Sequence, residues 1–141
     1  MQLDFAFLAR AGDIAKDGMF SVLGAGINTF EGPAFPLSAP PFVIVVKVFF
    51  QPEELDRAHV LVVSVLQPDG SAVPDARYEH RFSVEKPGGR ELGQATFTSL
   101  IAVSGLIVPR PGPYEIQFSV DGHMLASRRL FAKLVPAEGK K

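Results

Sequence analysis

Apolar and polar positions alternate along most of this chain with a period of two, the period of a β-strand that buries one face. The clearest case is Tyr114, Ile116, Phe118 and Val120, which alternate with Glu115, Gln117, Ser119 and Asp121. Tyr78, His80, Phe82 and Val84 alternate in the same way with Glu79, Arg81, Ser83 and Glu85, and Leu3, Phe5, Phe7 and Ala9 do so near the start. Further strands are expected at residues 19–23, 27–30, 42–50, 60–66, 95–103 and 124–135. Turn chemistry punctuates them. Pro68-Asp69-Gly70-Ser71, Pro87-Gly88-Gly89 and Pro111-Gly112-Pro113 supply the dihedrals of tight turns, and Asp121–Gly122 is a hairpin signal. A proline-rich loop occupies residues 32–41. Only residues 13–17 and 52–58 read as a helical turn or two, the second because Pro52-Glu53-Glu54 puts proline and acids where a short helix starts.

Short strands at regular spacing predict an all-β fold, an immunoglobulin-like antiparallel β-sandwich of about seven to nine strands. No helical crossover is available, so parallel pairing is not expected. Tyr114, two residues after Gly112 at the start of a late strand, stands where such sandwiches place a corner tyrosine. The length of 141 residues fits one domain, expected over residues 1–135, with residues 136–141 as a flexible C-terminal tail.

Two segments break the alternation. In residues 42–50, Phe42, Ile44, Val46, Val48 and Phe50 form one apolar face, while Val43, Val45 and Phe49 form a second that only Lys47 interrupts. In residues 60–66, Val60, Val62 and Leu66 oppose Leu61, Val63 and Val65. A strand with one wet face alternates more cleanly, so an outer apolar face implies cover by the chain itself or contact with another chain. The loop at residues 32–41 is the expected internal cover. Val43, Val45, Lys47 and Phe49 are the interface candidates. Phe30, Phe35 and Phe42 around the proline-rich loop either close one end of the sandwich or present an apolar lip to a ligand.

Composition narrows the chemistry. Hydrophobic residues make up 47% and charged residues 21%, as in ordinary globular domains. With no cysteine, disulfides, a thiol nucleophile and cysteine-ligated zinc are excluded. A formal net charge of −1 does not supply the basic field that binding nucleic acid through phosphates requires. The start lacks a basic signal region and Asp4 interrupts its apolar run, and residues 42–50 are too short to span a bilayer. A cytoplasmic protein without membrane contact is expected. His59, His80 and His123 sit singly rather than in metal-type pairs. His59 and His123 are expected at the surface, and His80 on an apolar face between Tyr78 and Phe82. Gly24-Ala25-Gly26 lacks the third glycine and the following helix of a phosphate loop. Ser104–Gly105 lacks the preceding glycine of a nucleophile elbow. No catalytic, metal or cofactor site is predicted.

Leu3-Asp4-Phe5-Ala6, residues 20–26, Pro52-Glu53-Glu54, Pro68-Asp69-Gly70 and the run from Pro109 through Tyr114 to Val120-Asp121-Gly122 resemble a bacterial family of small uncharacterised β-sandwich proteins, a domain of unknown function. The resemblance spans Leu3 to Val135. It implies a bacterial source and a compact β domain, and it lends no catalytic residues. The function expected is that of a non-enzymatic interaction or structural module that docks to itself as a homo-oligomer or to a protein partner. The alternative is a small-molecule or carbohydrate binder that uses its end loops.

Overall fold

A computed structural model describes residues 1–86 and 95–137. The chain runs through β1 (Gln2–Ala9), β2 (Ala11–Ile14), β3 (Phe20–Leu23), β4 (Thr29–Gly32), β5 (Leu37–Ser38) and β6 (Phe42–Phe50). After a 3₁₀ turn at Pro52–Glu54 come β7 (Ala58–Leu66), β8 (Ala72–Ser83), β9 (Ala95–Val103), β10 (Ile107–Val108), β11 (Gly112–Val120) and β12 (His123–Leu134). The fold is all-β. The strands number more than expected because two-residue strands such as β5 and β10 carry no periodic signal of their own.

Two sheets face each other. The smaller has the order β1-β6-β9, and the larger β4-β12-β11-β7-β8. The core between them is built from the alternation seen in the sequence. Phe42, Ile44, Val46, Val48 and Phe50 of β6 meet Leu61, Val63 and Val65 of β7 and Tyr114, Ile116, Phe118 and Val120 of β11, all buried. At roughly 1.5–3 kcal/mol for each large apolar side chain removed from water, this layer dominates the stability of the fold.

The hairpin between β11 and β12 turns on Asp121 and Gly122, whose φ values of 53° and 82° are the left-handed pair that a tight hairpin requires. Tyr114 makes the corner expected of it: its hydroxyl donates to the Arg110 carbonyl at 2.8 Å and accepts from the Arg110 amide at 3.1 Å.

Three expectations are corrected. Residues 13–17 form no helical turn; Asp13 lies in β2, and the chain reverses through a bend closed by Gly18 N–H donating to the Ala15 carbonyl at 3.0 Å. Among the described residues one pair is parallel, β4 with β12, because strands a hundred residues apart in the chain need no local crossover to run alongside each other. His59, expected at the surface, has no exposed area. The turn at Pro87-Gly88-Gly89 lies outside the described residues, as do the last four residues of the tail.

Candidate functional site

The outer face of the three-stranded sheet carries the four interface candidates, and it has a roof. β2 and β3 form a hairpin that folds back over it, so Phe20 and Val22 pack on Ala9, Val43 and Val45 together with Phe5, Phe7 and Leu100. The Phe5 and Phe20 rings stand 5.5 Å apart. Val43 is 7% exposed and Val45 is fully buried. The cover is internal, but it comes from this hairpin rather than from the loop at residues 32–41. At the other end of the face Lys47 and Phe49 are half-buried, with Lys47 Nζ 3.9 Å from Asp4 Oδ2.

Phe30 and Phe42 are buried with ring centroids 5.3 Å apart, and Phe35 is half-buried against the same core. These rings belong to the main hydrophobic cluster or pack against it. Beside them lies a groove of about 620 Å³, lined by Arg10, Ile27, Phe30, Glu31, Pro40 and Pro41.

The three histidines have different surroundings. His59 enters the core from β7, its ring 5.0 Å from Phe50 and 5.6 Å from Phe82. Its Nδ1 lies 2.6 Å from Asp121 Oδ2, and its Nε2 lies 2.6 Å from the Glu54 carbonyl. The other oxygen of Asp121 accepts from the Val60 amide at 2.9 Å. Burial pushes the Asp121 carboxyl up, but the hydrogen bonds from His59 and Val60 outweigh it and hold the carboxyl below its ordinary range. Carboxylate and carbonyl are both acceptors, and each ring nitrogen lies against one of them. An aspartate–histidine pair of this kind orients a general base in many hydrolases, but a base needs a free nitrogen, and neither is free. The pair ties the β11–β12 turn to the start of β7 and to the 3₁₀ turn. Glu54 belongs to the same knot: its carboxylate accepts from Gln51 N–H at 2.8 Å and contacts the Met1 amino group at 2.7 Å.

His80 projects inward from β8 and its Nδ1 lies 2.7 Å from Ser99 Oγ on β9, so the pair bridges the two sheets. Serine beside histidine is the arrangement of an activated nucleophile. Here Ser99 is 1% exposed and walled by aromatic rings, with Phe82 and Phe97 stacked at 3.9 Å and 2° between planes. The hydroxyl is buried in this conformation, and among the described residues no carboxylate bonds to His80. His123 is exposed on the hairpin, beside a shallow cleft lined by Arg57 and Asp121. Among the described residues no three histidine or acidic side chains converge as a metal ion requires, and no helix is long and apolar enough to cross a membrane.

The outer face of the five-stranded sheet is different from its counterpart. Val60, Val62 and Leu66 of β7 point outward, half-buried, and belong to neither core. Register places Val60 opposite Arg81 and Val62 opposite Glu79 on β8. On the other side Val62 faces Ser119 and Leu66 faces Glu115 of β11. An apolar row, interrupted by Ser64, thus runs between two polar rows, and neither buried cluster includes it. The two-sided character of residues 60–66 announces this strip in the sequence. The His59–Asp121 bond, which joins residues 62 positions apart, has no such signal.

Fold and sites together define an all-β sandwich whose ionisable core groups hold strands and turns in place, with one outer sheet face roofed by a hairpin and the other without such a roof among the described residues. The chain belongs to the Family of unknown function (DUF6941), whose model matches residues 4–133. No curated protein and no solved structure matches it.

Proposed function

We propose that this chain is a non-enzymatic protein-docking module and that the bare face of the five-stranded sheet is its docking surface. The observation that carries the reading is the contrast between the two outer faces. Strands β6 and β7 both carry apolar residues on both sides, but among the described residues only the outer side of β6 packs under a hairpin of the chain itself. A partner with an apolar strip and charges complementary to Arg77, Glu79 and Arg81 fits the β7 side. The closed surroundings of His59 and Ser99 support the non-catalytic part of the reading.

Val62→Glu places a charge in the middle of this row, at a half-buried position. Tagged wild-type protein is expected to recover a near-stoichiometric partner from lysate of its source organism, and the variant to lose it while keeping its circular dichroism spectrum. Equal recovery by both proteins would rule this face out.

A second reading, a small-molecule or carbohydrate binder, draws on the end groove at Arg10, Ile27, Phe30 and Glu31, whose size suits a small ligand. A thermal-shift screen of metabolites and saccharides tests it. A hit whose shift disappears in Arg10→Ala would favour this reading over protein docking.

A further inference from the structure

The sheet edges are guarded unequally. On β8 four residues, Val73 to Ala76, stand opposite the single Val65; Pro74 has no N–H to offer, and Asp75 is held at φ 59°. Charged Arg77, Glu79 and Arg81 follow. On the free side of β1 the Leu8 carbonyl is already taken by the Gly26 and Ile27 amides, at 2.8 and 3.1 Å. β4 is only four residues long. Proline, bulges, charges, shortness and cover are the devices by which proteins stop sheet edges from pairing with other chains.

Among the described residues β9 has none of them. Its nine residues, Ala95-Thr96-Phe97-Thr98-Ser99-Leu100-Ile101-Ala102-Val103, contain no charge, proline or glycine, and they pair with β6 in nine unbroken steps. Among the described residues no backbone group bonds to its other edge. Beyond that edge the inner lining is incomplete. Tyr78, His80 and Phe82 of β8 and Phe97 and Ile101 of β9 point inward yet are only half-buried.

We infer that the free edge of β9 pairs antiparallel with β9 of a second copy of this chain, making a two-fold dimer with one continuous six-stranded sheet. The strand is self-complementary about Ser99. Antiparallel pairing there sets Phe97 against Ile101 of the other copy and Thr98 against Leu100, and no like charges meet because the strand has no charge. The added strand also carries an apolar inner row alongside Tyr78, His80 and Phe82. A single nine-residue edge is a small interface, so the dimer is expected to form and dissociate with concentration. This inference is separate from the docking face on β7, and its failure leaves that reading standing.

The same register sets Thr96 opposite Ala102 of the second copy, and both are exposed in the single chain, so they accept new side chains without disturbing the core. Sedimentation velocity over a hundred-fold concentration range is expected to show wild type passing from monomer to dimer. The double variant Thr96→Lys, Ala102→Lys brings lysines together at two places and is expected to weaken association at least ten-fold. Thr96→Lys, Ala102→Glu makes opposite charges meet at the same two places and is expected to restore it. Circular dichroism checks that all three proteins fold alike. A wild type that stays monomeric throughout, a lysine pair that dimerises as well as wild type, or a lysine–glutamate pair no better than the lysine pair would each overturn the inference.

Discussion

Two acceptors and no donor surround the ring of His59, and that arrangement sets what the residue does. The Asp121 carboxylate and the Glu54 carbonyl each lie 2.6 Å away, so the ring serves as a clip between a hairpin turn and a strand start. Hydrogen bonds to charged groups contribute about 1.5–3 kcal/mol each, so Asp121→Asn is expected to cost about 2 kcal/mol at neutral pH, read by urea unfolding. The acid limb follows from the same contact. The Asp121 carboxyl is held below its ordinary range when folded, so as pH falls the unfolded chain takes up the proton first. Its contribution is complete above about pH 4, near the unfolded value, and is lost as pH falls through the folded one. Asp121→Asn therefore flattens the decline of stability in acid. Parallel acid limbs for wild type and variant would show that the clip does not hold.

At the scale of elements, the β2–β3 hairpin decides which apolar face meets water. It sits close enough that a β-carbon added to Gly12 would come within 2.9 Å of Leu100 Cδ1 and 3.2 Å of the Ser21 carbonyl. Gly12→Val is expected to lift the hairpin, lower stability by about 1–3 kcal/mol and raise the fluorescence of a dye that binds exposed apolar surface. Unchanged dye binding would mean that the hairpin is not clamped there. The long strands were legible in sequence because they obey a period of two, and β6 and β9 begin and end at the expected residues. Tyr114 and the Asp121–Gly122 turn were legible because their chemistry is local. The hairpin roof was not. Its cover comes from Phe20 and Val22, two residues in a four-residue strand, and nothing in so short a segment says which distant face it will meet. The burial of His59 was hidden for a related reason: its partner lies on another strand, and only the fold brings them together.

For the whole molecule, the two sheets give the same substitution opposite meanings. Val45→Glu puts a carboxylate under the hairpin at a position with no exposed surface, and is expected to unfold the protein or detach the roof. Val62→Glu puts it on the outer row of β7, opposite Glu79, where the cross-strand repulsion is expected to cost about 1 kcal/mol and the fold to survive. Denaturant midpoints of the two variants check the contrast. Similar losses in both would mean that the β7 face is covered after all.

The parallel pairing of β4 with β12 also constrains time. Thr29–Gly32 finds its neighbour only when Phe131–Leu134 arrives, and β5 likewise waits for β10. A chain growing from its N-terminus therefore holds an unmatched early strand until residues 131–134 have been made, and the larger sheet is completed after the smaller one. Loops of that length close slowly, and folds dominated by distant pairings take milliseconds to seconds rather than microseconds. During that interval β6, apolar on both faces, depends on the local β2–β3 hairpin for shelter, so the early hairpin acts as a guard for the nascent chain as well as a roof for the finished one.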